Sequence, residues 1–431
     1  MNIFSPRLCC KLLFSSLKTV VITVFAVINF SLPAYAFYEY QGEQNSIDLR
    51  GLIRLFGVLN VNPDNKKFYA NDSDQSAGGI GRMLLDAQIG EHAAIEFNGF
   101  QFINSSTASS VIPDSQGTFP VDVERSSALE WKQDDDQKTT ASLAVDRLNI
   151  RLSHSNLDIT LGRQPINLAT VFYFTPNDFF GPFTAQTFYR VYKSGVDAAR
   201  VEVQLGELSQ LSLINVLGYD PDSSSSNGWS DNPALDRSSF LARIAVTAFN
   251  FEWALLGGKV NNKDIIGASL QGDLFQWLGL RAEGHYAMPE DNTINKFSEF
   301  TIGLEHRFPN DLDLRGEIFH HGSGADSTKD YDNSKLLAQT NLPYRAAWYT
   351  AIGVGYQATP LLQIGGVAIT NLVDGSNLLS FNSIYSLSDE SELSFGFIIP
   401  IGRNTPTNSN SIESEFGLYP YSANIEFRRY F

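Results

Sequence analysis

The side chains of this 431-residue sequence that could do chemistry are mostly arginines and carboxylates set two or four positions apart. Asp48, Arg50 and Arg54 are one such set; Arg82 with Asp86, Arg147 with Arg151, Arg200 with Glu202, Arg281 with Glu283, Asp313, Arg315 and Glu317, and Glu426 with Arg428 are others. Residues an even number apart share one face of a strand, so each set lines one side of a sheet with mixed charge. That is chemistry of fields and weak binding rather than of bond making. The six histidines, His92, His154, His285, His306, His320 and His321, are scattered; the adjacent pair His320-His321 points to opposite faces and suits no shared metal. No nucleophile elbow, phosphate loop or zinc-protease helix appears. The residues therefore predict no enzyme, no metal site and no cofactor; a hydrolase with a Ser/His pair on a strand wall, which has no local spacing signature, stays open behind that reading.

The elements that must position these charges are strands. Alternating segments begin near 47–60, 79–90, 93–104, 139–153, 157–163, 195–206, 208–218, 237–249, 251–261, 264–274, 278–287, 297–307, 312–321, 346–357, 361–370, 376–386, 391–401 and 416–431, eighteen in all. The connections sort by parity. After even strands they are tight, as in "GEHA", "SHSN", "FPND" and "SDES"; the long polar ones, such as "YDPDSSSSNGWSDNPA", follow odd strands. An even count of antiparallel strands, ~9–11 residues each, with short turns on one side and long loops on the other, is the pattern of a bacterial transmembrane β-barrel. The fold class is all-β, an antiparallel barrel of about 18 strands, with 16 as the fallback. In such a wall, Arg or Lys facing lipid at mid-depth costs roughly 2–4 kcal/mol. Arg50, Arg54, Arg82, Arg147, Arg151 and Arg200 must therefore face the lumen. Trp253, Trp277, Tyr286, Trp348 and Tyr356 fall where interfacial girdles sit.

Composition agrees. Residues 1–36 carry a basic start (Arg7, Lys11, Lys18), an apolar run and Ala34-Tyr35-Ala36, the three parts of a cleaved export signal. The mature chain then begins near Phe37 and runs to 431 as one barrel domain. Both cysteines leave with the signal, which excludes disulfides and thiol chemistry. Three of the 31 basic and none of the 47 acidic residues leave as well, so the mature charge is −19 and nucleic acid is not a partner. Much of the acidity sits in the outer loops: Asp72, Asp74, Asp134 to Asp136, Asp220, Asp222, Asp231, Asp326, Asp330 and Asp332.

One connection departs from the pattern. Between the fifth and sixth strands lies "GRQPINLATVFYFTPNDFFGPFTAQTFYRVYKSGVDAARV", whose Phe172, Tyr173, Phe174, Phe179, Phe180, Phe183, Phe188, Tyr189 and Tyr192 need burial. Lipid is closed to irregular backbone, so Gln164 to Ser194 is expected inside the barrel. The runs "GRQPI", "PNDFFGPF" and "YRVYKSGVDAARV" resemble a segment of porin-like outer-membrane barrels of Gram-negative bacteria, a group that includes the alginate-export-like proteins. The resemblance implies an inward loop that sets the constriction, with Arg163, Asp178, Arg190, Lys193 and Asp197 at or near the narrowest point. It also implies that Phe431, in the final "SANIEFRRYF", is read by the barrel-assembly machinery and closes the last strand on the first. The expected function is a passive channel or exporter for small polar, anionic solutes in the outer membrane. A barrel scaffold or surface interaction protein without a conducting pore is the alternative, and an outer-membrane hydrolase the third. Solute identity and oligomeric state do not follow from the sequence.

Overall fold

A computed structural model of the chain describes residues 37–431 apart from 67, 108–122, 136–137, 188–189, 191, 276, 332–343 and 405–411. The export signal, Asp136, Asp332, Phe188 and Tyr189 lie outside the described residues.

The strands are β1 (Tyr38–Gln41), β2 (Asn45–Val61), β3 (Ser73–Ile89), β4 (Ala93–Ser106), β5 (Glu130–Asp135), β6 (Thr139–His154), β7 (Leu157–Gln164), β8 (Val196–Gly206), β9 (Ser209–Pro221), β10 (Trp229–Ala248), β11 (Phe251–Val260), β12 (Lys263–Leu274), β13 (Leu278–Pro289), β14 (Phe297–Arg307), β15 (Leu312–His321), β16 (Trp348–Thr359), β17 (Leu362–Asn371), β18 (Asn377–Ser388), β19 (Ser391–Ile401) and β20 (Tyr421–Tyr430). Each wall strand pairs antiparallel with the next, and β20 pairs with β2 from Leu52–Tyr430 to Val61–Tyr421. Phe431 and Gly51 exchange both backbone hydrogen bonds, at 2.9 and 3.2 Å. The result is a closed barrel of eighteen strands, with β1 and β5 as additions.

Period 2 is visible in the burial. Along β19, Phe395, Phe397, Ile399 and Ile401 face outward and are exposed, while Ser394, Gly396, Ile398 and Pro400 are buried inside. The outer surface is thus apolar and the inner one mixed. Where the connections are tight the backbone enters the left-handed region at two successive residues, as at Asn261-Asn262 (φ 47° and 60°), which matches the twist of the flanking strands.

All eighteen expected strands are present, with shifted ends. Residues 416–418 form a short 3-10 turn instead of opening the last strand, because Phe416 and Leu418 turn into a buried cluster at the outer mouth. The two additions were not legible. β1 lies against the lower edge of β2, Tyr38 opposite Leu49, where β20 has already ended. β5 lies against Thr140–Ala144 of β6, above the point where β7 stops at Gln164 and the chain turns inward. It refills the wall that the inward turn vacates. A register shift between Asn98 and Gly99 leaves Asp146 as an extra residue on β6. Asp146 and Arg147, although adjacent, therefore both reach lumen partners, Arg82 and Glu96 respectively.

Candidate functional site

The segment from Gln164 to Ser194 lies inside the barrel, fixed to one flank of it. Glu283 of β13 accepts the backbone N–H groups of Thr170, Val171 (3.2 Å) and Asn177 (3.0 Å). Glu317 of β15 accepts those of Phe172 (2.6 Å), Tyr173 (3.0 Å) and Phe174 (3.0 Å). Thr301 Oγ1 donates to the Phe174 carbonyl at 2.8 Å, and Asn177 Nδ2 to that of Ala268 at 3.1 Å. An irregular segment must satisfy its backbone somewhere, and here two wall carboxylates do much of it. Packing follows the same flank. Phe174 stacks on Phe319 at 5.0 Å and meets Tyr344 edge-on at 5.3 Å. Phe172 lies between the guanidinium groups of Arg281 (4.4 Å) and Arg315 (4.0 Å). Tyr173 rests on Gly353 so closely that a Cβ there would come within 1.6 Å of its hydroxyl.

The expected site residues divide into three kinds. Arg190 makes no ion pair among the described residues; it donates to the carbonyls of Phe172, Thr184 (3.4 Å), Ala185 (3.0 Å) and Thr187 (2.8 Å), and so staples the two arms of the segment together. Lys193 holds both oxygens of Asp178 at 2.6 Å in a buried pair. Burial pushes the Asp178 carboxyl up and the Lys193 ammonium down, against their mutual attraction. Arg163, only 1% exposed, forks onto Asp197 at 2.8 and 3.0 Å and reaches the carbonyls of Val145 and Ser126. It binds the departure point of the segment to the β5 patch.

The remaining arginines line the wall in pairs. Arg50 meets Asp48 (3.0 Å) and Asp86; Arg54 meets Glu426 (2.5 Å); Arg82 meets Asp146 (3.0 Å) and stacks on Tyr192 (4.4 Å). Arg147 meets Glu96 (2.7 Å), Arg151 meets Asp158 (2.9 Å) and Arg200 meets Glu202 (3.2 Å). Except for Arg190, every basic residue singled out from the sequence thus has a carboxylate beside it, so the lumen field is locally balanced.

Open space lies on either side of the segment. Connection lengths identify the outer side. There a cavity of about 630 Å³ is bounded by Phe179, Phe180, Trp229, Arg237, Asn261 and Lys263. On the periplasmic side one of about 290 Å³ is bounded by Tyr173, Gln186, Arg307, Arg315, Gln363 and Asn382. Sequence reasoning placed Glu283 and Glu317 in the lumen but missed their part in holding the segment, since a carboxylate that meets another side chain and one that meets three amides read alike in sequence. Gln186 and Asn382 carried no signal.

Ser323, His321 and Glu299 come together on the wall, with Ser323 Oγ 2.8 Å from His321 Nε2 and 3.2 Å from Glu299. The Ser323 hydroxyl thus sits between Glu299 and His321 Nε2. His321 Nδ1 has no partner among the described residues, and all three side chains are buried. This is not the arrangement of an activated nucleophile.

Solved structures share the architecture, among them the following three. OccK7 (OpdD) of Pseudomonas aeruginosa is similar at 11% identity over 90% of this chain and 99% of that one, with a TM-score of 0.51. OccAB4 of Acinetobacter baumannii is similar at 11% identity over 91% and 98%, with a TM-score of 0.54. A BenF-like porin from Pseudomonas fluorescens Pf-5 is similar at 10% identity over 89% and 98%, with a TM-score of 0.53. No family model and no curated protein matches the sequence. Fold and site together define a closed antiparallel β-barrel with a connection folded into it, an architecture this chain shares with those structures. Within that class this chain is an eighteen-stranded barrel with its fifth-to-sixth connection folded inside.

Proposed function

We propose that this chain is a passive outer-membrane channel for small polar solutes, reached by a mature chain beginning near Phe37 after export, and not an enzyme. The observation that carries this reading is the inward segment itself: clamped by Glu283 and Glu317 inside a closed wall, it narrows the lumen while leaving polar cavities on both sides. The name of one neighbour, a BenF-like porin, supports the same reading.

The finer expectation of anion preference is proposed in reduced form. The wall arginines are matched one for one by carboxylates, and exposed charges farther apart than about 8 Å are screened at physiological salt. The acidic outer loops therefore do not reverse the local field, and the pairs largely cancel it. A permeability ratio favouring chloride over potassium by no more than about threefold is expected, since rings of Arg or Lys favour anions only where their charge is uncompensated. Reversal potentials in a potassium chloride gradient test it. Cation preference would refute the selectivity, and the absence of discrete current steps would refute the channel.

A further inference from the structure

The short turns on the periplasmic rim are of two kinds. Those between β8 and β9, β10 and β11, β12 and β13, and β14 and β15 are neighbours round the wall, since β9 pairs with β10, β11 with β12 and β13 with β14. They carry Leu205, Leu208, Phe249, Phe275, Trp277 and Phe308, all exposed. Phe249, at the tip of the β10–β11 turn, is 91% exposed; on the β12–β13 turn Phe275 is 79% and Trp277 58% exposed. Round the other side the turns present polar residues instead: Glu91 and His92 between β3 and β4, Ser155 and Asn156 between β6 and β7, and Asp389 and Glu390 between β18 and β19. The β16–β17 turn, with Pro360 and an exposed Leu361, stands at the boundary.

Phe249 (φ 56°) and Phe275 (φ 53°) hold the left-handed backbone that other turns give to Gly90, Ser155 or Asp311. For a bulky L residue that conformation costs on the order of 1–2 kcal/mol. Neither ring is buried against the chain to offset it. A contiguous exposed apolar patch marks contact with protein or with lipid, and two features select lipid. The first is continuity: directly above these turns Ile244 and Val246 of β10 and Trp253 and Leu255 of β11 are exposed on the outer face, which the channel reading sets against hydrocarbon. The second is charge. Ala248 to Phe251 and Leu274 to Leu278 contain no ionisable residue, so nothing on them opposes entry into a leaflet, whereas Glu91 or Asp389 and Glu390 would have to be carried in. Trp277 is moreover held in place by its neighbours, edge-on to His306 at 5.4 Å, with His306 edge-on to Phe308 at 4.3 Å and its Nδ1 2.6 Å from the Trp277 carbonyl.

We propose that this side of the rim is a lipid-docking edge: Phe249, Phe275 and Trp277 enter the headgroup layer of the phospholipid leaflet that faces the periplasm, while the turns after β3, β6 and β18 stand in water. The proposal rests on the outer-membrane reading above and adds which part of the rim the leaflet covers. The turn backbones stay among headgroups and water, which satisfy them as hydrocarbon could not. Only the rings reach toward the acyl chains, in the layer that aromatic side chains favour. Two of the four turns, β12–β13 and β14–β15, join the strands that carry Glu283 and Glu317, so the docked edge lies beneath the part of the wall that holds the inward segment.

From Phe37 onward the chain has no cysteine, so single ones can be placed and labelled with an environment-sensitive nitrobenzoxadiazole dye. The variants are Phe249→Cys and Phe275→Cys on the apolar turns, Asn156→Cys and Asp389→Cys on the polar ones, and Leu255→Cys on the outer wall. Each barrel is folded into vesicles of phosphatidylethanolamine and phosphatidylglycerol with iodide on both sides. Iodide is expected to quench the dye at Phe249→Cys and Phe275→Cys severalfold less than at Asn156→Cys and Asp389→Cys, and lipid carrying a nitroxide near its headgroup to quench the first two and spare the others. Leu255→Cys reads the membrane reading by itself: free iodide access there refutes insertion, and this inference with it. With Leu255→Cys protected, equal iodide access at all four turn positions overturns the lipid edge alone and leaves the patch to a protein partner. Protection at Phe249→Cys and Phe275→Cys that disappears when the barrel is diluted in lipid also overturns it, since a second copy of the chain would then be the cover.

Discussion

The two flanks of the inward segment use the same polar residue types to opposite ends. On the β12–β16 flank two carboxylates receive six backbone N–H groups, and Phe172, Phe174 and Tyr173 pack into guanidinium, aromatic and glycine surfaces. On the β18–β2 flank Gln186, Asn382 and Asn424 border a slot of about 30 Å³, and their buried amide oxygens have no hydrogen-bond partner among the described residues. Satisfied polar groups rigidify, whereas unsatisfied ones await a partner. The clamped flank is the one that sets where the segment sits.

The largest effect expected from breaking the fixed side is on stability. Arg163→Ala removes the buried partner of Asp197 and the donor to Val145 and Ser126, and loss of one member of a buried pair costs about 3–5 kcal/mol. The heat-modifiability midpoint of the barrel in detergent should fall sharply, while reversal potential stays near that of the wild type. A changed selectivity with unchanged stability would show that Arg163 faces solute after all. Gly353→Val comes next. Its side chain would displace Tyr173, and overpacking costs about 1–3 kcal/mol; the expected result is a channel with altered step size but intact β circular dichroism.

A smaller effect distinguishes buried from open positions of the segment. Single cysteines at Phe174, which is fully buried, and at Phe180, 6% exposed, should both resist a bulky external thiol reagent in intact cells. Rapid labelling at either would move the segment out of the lumen. The smallest expected effect concerns the outer mouth, where Glu415 is buried among Tyr349 Oη (2.5 Å), Asn371 Nδ2 (2.8 Å) and the Arg345 amide (3.1 Å). Burial pushes its carboxyl up to about 7, against the hydrogen bonds it accepts and the attraction of Arg345, while Asp374 adds to the rise. A carboxyl raised above its unfolded value stabilises at acid pH, and that contribution is lost as pH rises through about 7. Protection factors at residues 412–419, in which the intrinsic pH dependence of exchange is divided out, should therefore be higher at pH 5.5 than at pH 8.5 in the wild type and equal at the two in Glu415→Gln.

How much of this was legible follows from period and chemistry. Eighteen strands were readable because lipid punishes a misplaced charge, so Arg50, Arg54 and Arg82 fix which face is which. The inward segment was readable because its aromatic load has no other place to go. β5 was not, since five of its six residues, Glu130–Asp135, are polar and the strand pairs only because β7 ends early. Nor was the difference between the two flanks, because Glu317 meets amides and Gln186 meets a void only once eight or more strands have closed around them. Arg163 and Arg190 were drawn to the right segment by sequence. Their contacts, to Asp197 and to four carbonyls, hold the segment in place, and Arg190 also borders the 290 Å³ cavity.

The claim that the glutamate clamp sets the constriction is tested most directly by single-channel current through the Glu283→Leu, Glu317→Leu double variant beside the wild type. Removing both acceptors leaves six amides to find new partners, so the segment should leave the wall. The account predicts small discrete steps in the wild type and severalfold larger, noisier ones in the variant. Steps of equal size in two barrels that have both folded would contradict it.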